Sequence, residues 1–261
     1  MTGQEEASAG SGRAGTLFRG PPGYAARTPW RPLNATAAVV LILLASVAVP
    51  WLLVDLARRM LGQPIATEQW ADLASRVVVV VLTLTASVLL GGRAGDVLAL
   101  RSPARGWRSY AGAALLLLGV PIVLAISLTV VVIVFGQFDG LMQAILDDRR
   151  SMQPAPGAQS WAFILLAVVV APLEEELLFR GFLMSALARS RIGFWGAAVA
   201  STGLWMVLHE YSVMGYAKIF ILGLLFSWLL WRTGSLRVTI FAHALNNLVA
   251  LAMLELVDAP P

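Results

Sequence analysis

Val168-Val169-Val170-Ala171-Pro172-Leu173-Glu174-Glu175-Glu176-Leu177-Leu178-Phe179-Arg180-Gly181 sets three consecutive carboxylates inside a long apolar run. An ionised side chain at the centre of a membrane helix costs about 2.5–3.5 kcal/mol on insertion scales. Acids kept at such a place are paired, hydrated or used. The rest of the chain supports the membrane reading. Of its 261 residues, 58% are hydrophobic and 13% charged, against ~25% charged in an ordinary soluble domain. Mean hydropathy is +0.77. The expected fold is all-α, a polytopic membrane helical bundle with about seven transmembrane helices, since each needs about 20 apolar residues.

Working outward, the carboxylates fall in a fourth span, Trp161 to Leu187. Three spans precede it: Leu33 to Ala57, Leu73 to Leu90 and Tyr110 to Phe135. Three follow: Gly193 to Glu210, Gly215 to Trp231 and Val238 to Val257. The segment Gln137 to Arg150 is amphipathic and too short to cross, so it either lies along the interface or is a plain polar connector. Residues 1–32 are polar, rich in Gly, Pro and Arg, and lack the apolar stretch of a secretory signal. They are expected to form a disordered cytoplasmic tail. Residues 33–160 are the N-terminal transmembrane helices.

The formal charge of +4 comes almost wholly from arginine, Lys218 being the only lysine. The arginines cluster between apolar runs, so they describe topology and not nucleic-acid binding. Arg13, Arg19, Arg27 and Arg31, then Arg93, Arg101, Arg105 and Arg108, then Arg189 and Arg191, then Arg232 and Arg237 fall on one side. That richer side is expected to be cytoplasmic, which puts the N-terminus inside. With no cysteine, disulfides, thiolate nucleophiles and cysteine metal ligands are excluded.

Glu176 and Arg180 are four apart and share a helix face, where a forked ion pair neutralises both. Glu175 lies about 100° further round an α-helix and stays available. Glu174 takes yet another face, in water or against a polar neighbour. The chain has two histidines. His209 follows Trp205 at i, i+4, so the indole would stack on the imidazole. His243 precedes Asn247 at i, i+4, between the small Ala242 and Ala244 that permit close helix approach. Taken singly, the triplet reads as interfacial acids, His209 as a helix-end residue, and His243 with Asn247 as helix–helix glue. Taken together, Glu175, His209, His243 and Asn247 sit away from the span ends and can share one polar cavity.

Two chemistries fit. Glu175 and His209 can activate a water against a peptide carbonyl while His243 and Asn247 donate to the oxyanion. Alternatively Glu175, His209 and His243 hold a zinc ion that acidifies the water. The histidines are 34 residues apart and no compact His-Glu-x-x-His helix exists, so the metal-free route is favoured and no cofactor is expected, with zinc the alternative.

Glu175-Glu176-x-x-x-Arg180-Gly181, an aromatic-x-x-x-His at 205–209 and His243-x-x-x-Asn247 in that order resemble the CAAX protease and bacteriocin-processing family (CPBP, or Abi). Thr233-Gly234-Ser235-Leu236 is similar to its usual turn. The resemblance covers residues 161–257, which would be the catalytic core. It implies an intramembrane endopeptidase, with Glu175 as the water-activating base, Glu176 and Arg180 as structural support, and His209, His243 and Asn247 completing the site. Trp205 departs from the usual phenylalanine. The implied partners are the lipid bilayer and membrane-associated peptide or protein substrates, lipidated CAAX-like or bacteriocin-type, and no nucleic acid. The implied location is a bacterial inner (plasma) membrane. Two other readings stay open: an immunity or scaffold protein of the same fold without proteolysis, and a proton-coupled transporter built on the same buried acids and histidines.

Overall fold

A computed structural model describes residues 23–61, 67–136, 139–140, 142–143, 146–147 and 160–258. Among them every regular element is helical. In chain order they are α1 (Pro32–Leu61), α2 (Thr67–Leu89), the short α3 (Ala94–Val97) and α4 (Trp107–Phe135). A continuous helical run over 160–187 forms α5, followed by α6 (Gly193–Val207), α7 (Val213–Thr233) and α8 (Leu236–Asp258). Among the described residues, four helices, α1, α2, α7 and α8, are long and apolar enough to cross a membrane. The chain is an integral membrane protein, and seven crossings remain the sequence expectation.

The helices are apolar on every side, so burial and not polarity separates their faces. In α1, Ala35, Val39, Ile42 and Ser46 are buried at spacings of four, three and four. Leu41, Leu44 and Leu52 on the opposite side are more than 60% exposed. An apolar outer face of this extent suits lipid. One continuous core runs from Trp30 through Leu178 and Phe226 to Ala242, so residues before and after 160 form a single bundle.

Four arginine-bearing segments meet at one end of that bundle. Arg101 Nε donates to Gly234 O at 2.9 Å, Ser235 Oγ donates to Arg101 O, and Leu236 N donates to Ala99 O at 2.8 Å. Arg189 donates to Thr28 O. The α7–α8 turn needs glycine twice over. Gly234 has φ +64°, and a Cβ there would lie 2.3 Å from Gly23 O.

Residues 23–31 correct the sequence reading of a disordered tail through residue 32; residues 1–22 lie outside the described ones. Tyr24 N donates to Trp231 O at 3.1 Å, Thr28 Oγ1 donates to Ser185 O at 3.2 Å, and Trp30 stacks on Phe182 at 4.8 Å between centroids. Two aromatics hidden in a polar, Gly/Pro-rich composition tie the segment to the bundle. Of the stretch Gln137 to Arg150, the described residues are helical, and the question of an interfacial helix falls on residues outside those described.

Candidate active site

α5 carries the three glutamates and is not a plain α-helix. It alternates α-turns with π-turns at Leu166–Val170 and Glu176–Met184. π-turns are rare and recur at functional sites. Neighbouring helices donate to both. Asn247 Nδ2 donates to Ala167 O at 2.9 Å, and Ser201 Oγ donates to Phe179 O at 2.8 Å.

Glu175 and Glu176, expected to face different ways, meet different nitrogens of the His243 imidazole. Its Nδ1 lies 3.0 Å from Glu176 Oε1 and its Nε2 lies 3.7 Å from Glu175 Oε2. Glu176 also pairs with Arg180 Nη1 at 3.2 Å, both side chains being fully buried. The guanidinium carbon of Arg180 lies 4.4 Å from the Trp205 ring centroid and 5.8 Å from that of Phe226, an aromatic sandwich suited to a desolvated cation. Phe226 stacks on His243 at 4.9 Å.

His209 stands beyond the helix it was expected to occupy. α6 ends at Val207, so this histidine lies in the turn before α7, not inside a span running to Glu210. It is nevertheless fixed tightly. Nδ1 lies 2.9 Å from Trp205 O, the ring packs edge-on to Trp205 at 5.2 Å and stacks on Tyr211 at 5.7 Å, and Tyr216 Oη donates to His209 O at 2.6 Å. Its Nε2 faces Glu175 Oε1 at 3.9 Å.

The Nδ1 partners assign the tautomers. A carbonyl and a carboxylate only accept, so Nδ1 carries the hydrogen in both rings. In their neutral forms both Nε2 lone pairs then point at Glu175. Separations of 3.7 and 3.9 Å are too long for direct hydrogen bonds, and they leave both nitrogens and the carboxylate facing a common point. On the other side of the carboxylate, Trp205 Nε1 donates to Glu175 Oε2 at 2.6 Å. This short charge-assisted bond gives the indole a role beyond stacking.

Three of the four residues picked from the sequence therefore converge. Asn247 lies one turn beyond His243, with Nδ2 on Ala167 O and Oδ1 accepting from Asn246 at 3.2 Å. One amide hydrogen of Asn247 is thereby spoken for.

Arg76 was missed. It comes from α2, and its Nη1 lies 2.9 Å from Glu174 Oε2 and 3.6 Å from Glu175 Oε1. Its Nε is 3.4 Å from Asp72 Oδ1. The signal was present, since a guanidinium stands beside the Val77 to Val81 run inside the second span at the same cost as the acids.

Glu175, His209 and His243 are the side chains that would hold a zinc ion. Among the described residues no group of three or more His, Asp or Glu side chains is arranged to hold a metal ion. Glu175 already faces an indole N–H on one oxygen and a guanidinium on the other, and a cation at that distance opposes a second one.

α7 approaches α5 and α6 closely because Gly223 lacks a side chain. A Cβ there would lie 2.5 Å from Thr202 Cγ2 and 2.8 Å from Arg180 Nη2. Gly223→Ala is expected to destabilise the bundle by about 1–3 kcal/mol through overpacking. Thermal unfolding in detergent would check this, and an unchanged midpoint would show that the contact relaxes freely.

Residues 157–249 match the family model described as Rce1-like, type II CAAX prenyl endopeptidase. The match covers about a third of the chain, contains Glu175, Glu176, Arg180, His209, His243 and Asn247, and agrees with the family resemblance drawn from the motifs. At family level it supports a CAAX-type intramembrane protease. Arg76 and α2 lie outside it. No curated protein and no solved structure matches the chain.

Proposed function

We propose that this protein, which carries the Rce1-like pattern in its C-terminal helices, is a metal-independent intramembrane endopeptidase acting on membrane-associated peptides. The observation that supports it is the facing of two imidazole Nε2 atoms onto one carboxylate, at 3.7 and 3.9 Å.

In this reading a water sits between Glu175 and the two histidines. Glu175 takes one of its protons as the water oxygen bonds to the substrate carbonyl carbon, and the carbonyl oxygen becomes an oxyanion. His243, whose Nδ1–H is held by Glu176, stabilises that oxyanion through its Nε2 side when that nitrogen carries a hydrogen. The C–N bond then breaks, and protonated Glu175 returns its proton to the leaving amine. Trp205 and Glu176 hold the carboxylate and His243 in register. The more exposed members, Arg76 at 28% and His209 at 27% against 10% for Glu175, both lie on the Oε1 side of Glu175. Substrate and water arrive there, between α2 and the turn after α6. Tyr211 and Tyr216 hold His209 at that opening.

The test is cleavage of a quenched lipidated or membrane-spanning peptide by the purified protein in liposomes, with product masses read directly. Cleavage that survives a metal chelator is the expected result. Loss of cleavage on chelation would restore the metal route. Proton flux without cleavage would mark a transporter, and neither activity would mark a scaffold.

A further inference from the structure

We propose that Arg76 is the positioning residue for Glu175, so that α2, which lies outside the family-matched segment, is part of the catalytic apparatus. The inference rests on the proteolytic reading for its functional meaning, and on geometry for its content.

Asp72, Glu174, Glu175 and Glu176 stand against Arg76 and Arg180. Arg180 is committed to Glu176 and the aromatic sandwich. Arg76 is therefore the cation that serves the other three acids, at 3.4, 2.9 and 3.6 Å. Its shortest contact is to Glu174, the acid with no place in the water attack. Glu174 acts as an anchor. Its hydrogen bond with Nη1 fixes the guanidinium, which then faces the Oε1 atom of Glu175 that also faces His209. With Trp205 holding Oε2, the carboxylate is restrained at both oxygens. Without Arg76, the Glu174 and Glu175 charges would stand side by side uncompensated. One of them would have to turn away or take a proton. Either change removes the base from the water.

The 3.6 Å separation from Glu175 is longer than a direct hydrogen bond. That distance suits a positioning group: it supplies field and orientation while leaving Oε1 free to take the water's proton. A guanidinium suits the task better than an ammonium because its planar fork sets Nε toward Asp72 while Nη1 serves Glu174 and Glu175.

The experiment compares Arg76→Met, Arg76→Lys and Arg76→Met with Glu174→Gln in the liposome assay, alongside the indole N–H resonance of Trp205 in protein carrying 15N-labelled tryptophan. That resonance is assigned by its loss in Trp205→Phe and reports the hydrogen bond to Glu175 whether or not any substrate is cut. For Arg76→Met we expect kcat to fall about 10–100-fold, the scale of a misplaced catalytic group, with KM little changed and the indole resonance shifted. Arg76→Lys should recover part of kcat, and Glu174→Gln added to Arg76→Met should recover part of both kcat and the resonance. An unchanged resonance in Arg76→Met, a loss confined to KM, or a double variant worse than the single would each overturn the proposal. If Arg76→Met fails to fold, Arg76→Lys decides: a wild-type resonance with wild-type kcat would count against positioning by the fork. Absence of cleavage by the wild type would defeat the proteolytic reading alone, and the resonance would still decide whether Arg76 positions Glu175.

Discussion

Glu175→Gln is expected to lower turnover of a cleaved peptide by about 10²–10⁴-fold, the usual contribution of a positioned general base, while the protein stays folded. The amide has nearly the same shape, and its oxygen can still accept the Trp205 indole N–H that now meets Oε2 at 2.6 Å. What disappears is the ability to take a proton from a water held between the carboxylate and the two Nε2 atoms. Arg76 keeps its closer partner, Glu174, so the neighbouring ion pair survives. The measurement is kcat on the quenched peptide together with the thermal midpoint. Wild-type turnover with an unaltered midpoint would remove Glu175 from the chemistry and leave the water without a base. A collapsed midpoint would instead assign Glu175 a structural role, equal to that of Glu176.

The distinction between those two glutamates shows what local spacing can and cannot reveal. Glu176 and Arg180 do pair as their i, i+4 spacing implies, and Trp205 does pack on His209. Such relations are fixed by one turn of backbone. The convergence of Glu175, His209 and His243 was also legible, because polar side chains in apolar spans have few stable places other than one another. The errors arise where a relation is not local. The offset between Glu175 and Glu176 aims them at different nitrogens of one ring, and the spacing does not show that His243 of α8 packs where both reach it. His209 lies past the last turn of α6 because the chain turns there into the cap of α7, where Ser212 Oγ accepts from Gly215 N at 3.1 Å. Nothing in the spacing of Asn247 from His243 points to Ala167 O on α5. Arg76 reaches Glu174 across 98 residues of sequence, and only the packing of α2 on α5 makes that pair.

Arg180→Met should destabilise the fold by about 3–5 kcal/mol, the cost of leaving a buried charge without its partner. Glu176 and Arg180 are both fully buried, so neither can turn to water if the other is lost. Glu176 Oε1 would then lean on His243 Nδ1, so the change reaches the site. Imidazole and indole would shift together, because Arg180 packs on both Trp205 and Phe226 and those rings pack on His243. Arg180→Lys should not rescue, since an ammonium cannot lie flat between two rings and meet a carboxylate at once. Adding Glu176→Gln to Arg180→Met should recover part of the loss, because it removes the uncompensated charge. Denaturant or thermal unfolding of the single and double variants in detergent measures the coupling. If the two losses simply add, Glu176 and Arg180 act independently, and each is held by its contacts to the other helices and not by its partner on α5. If they do not add, the site and the core of the bundle are one construction. A membrane protein cannot rely on water exclusion to press its helices together, and here two paired side chains of α5 reach three other helices, Arg180 facing Trp205 and Phe226 and Glu176 supporting His243.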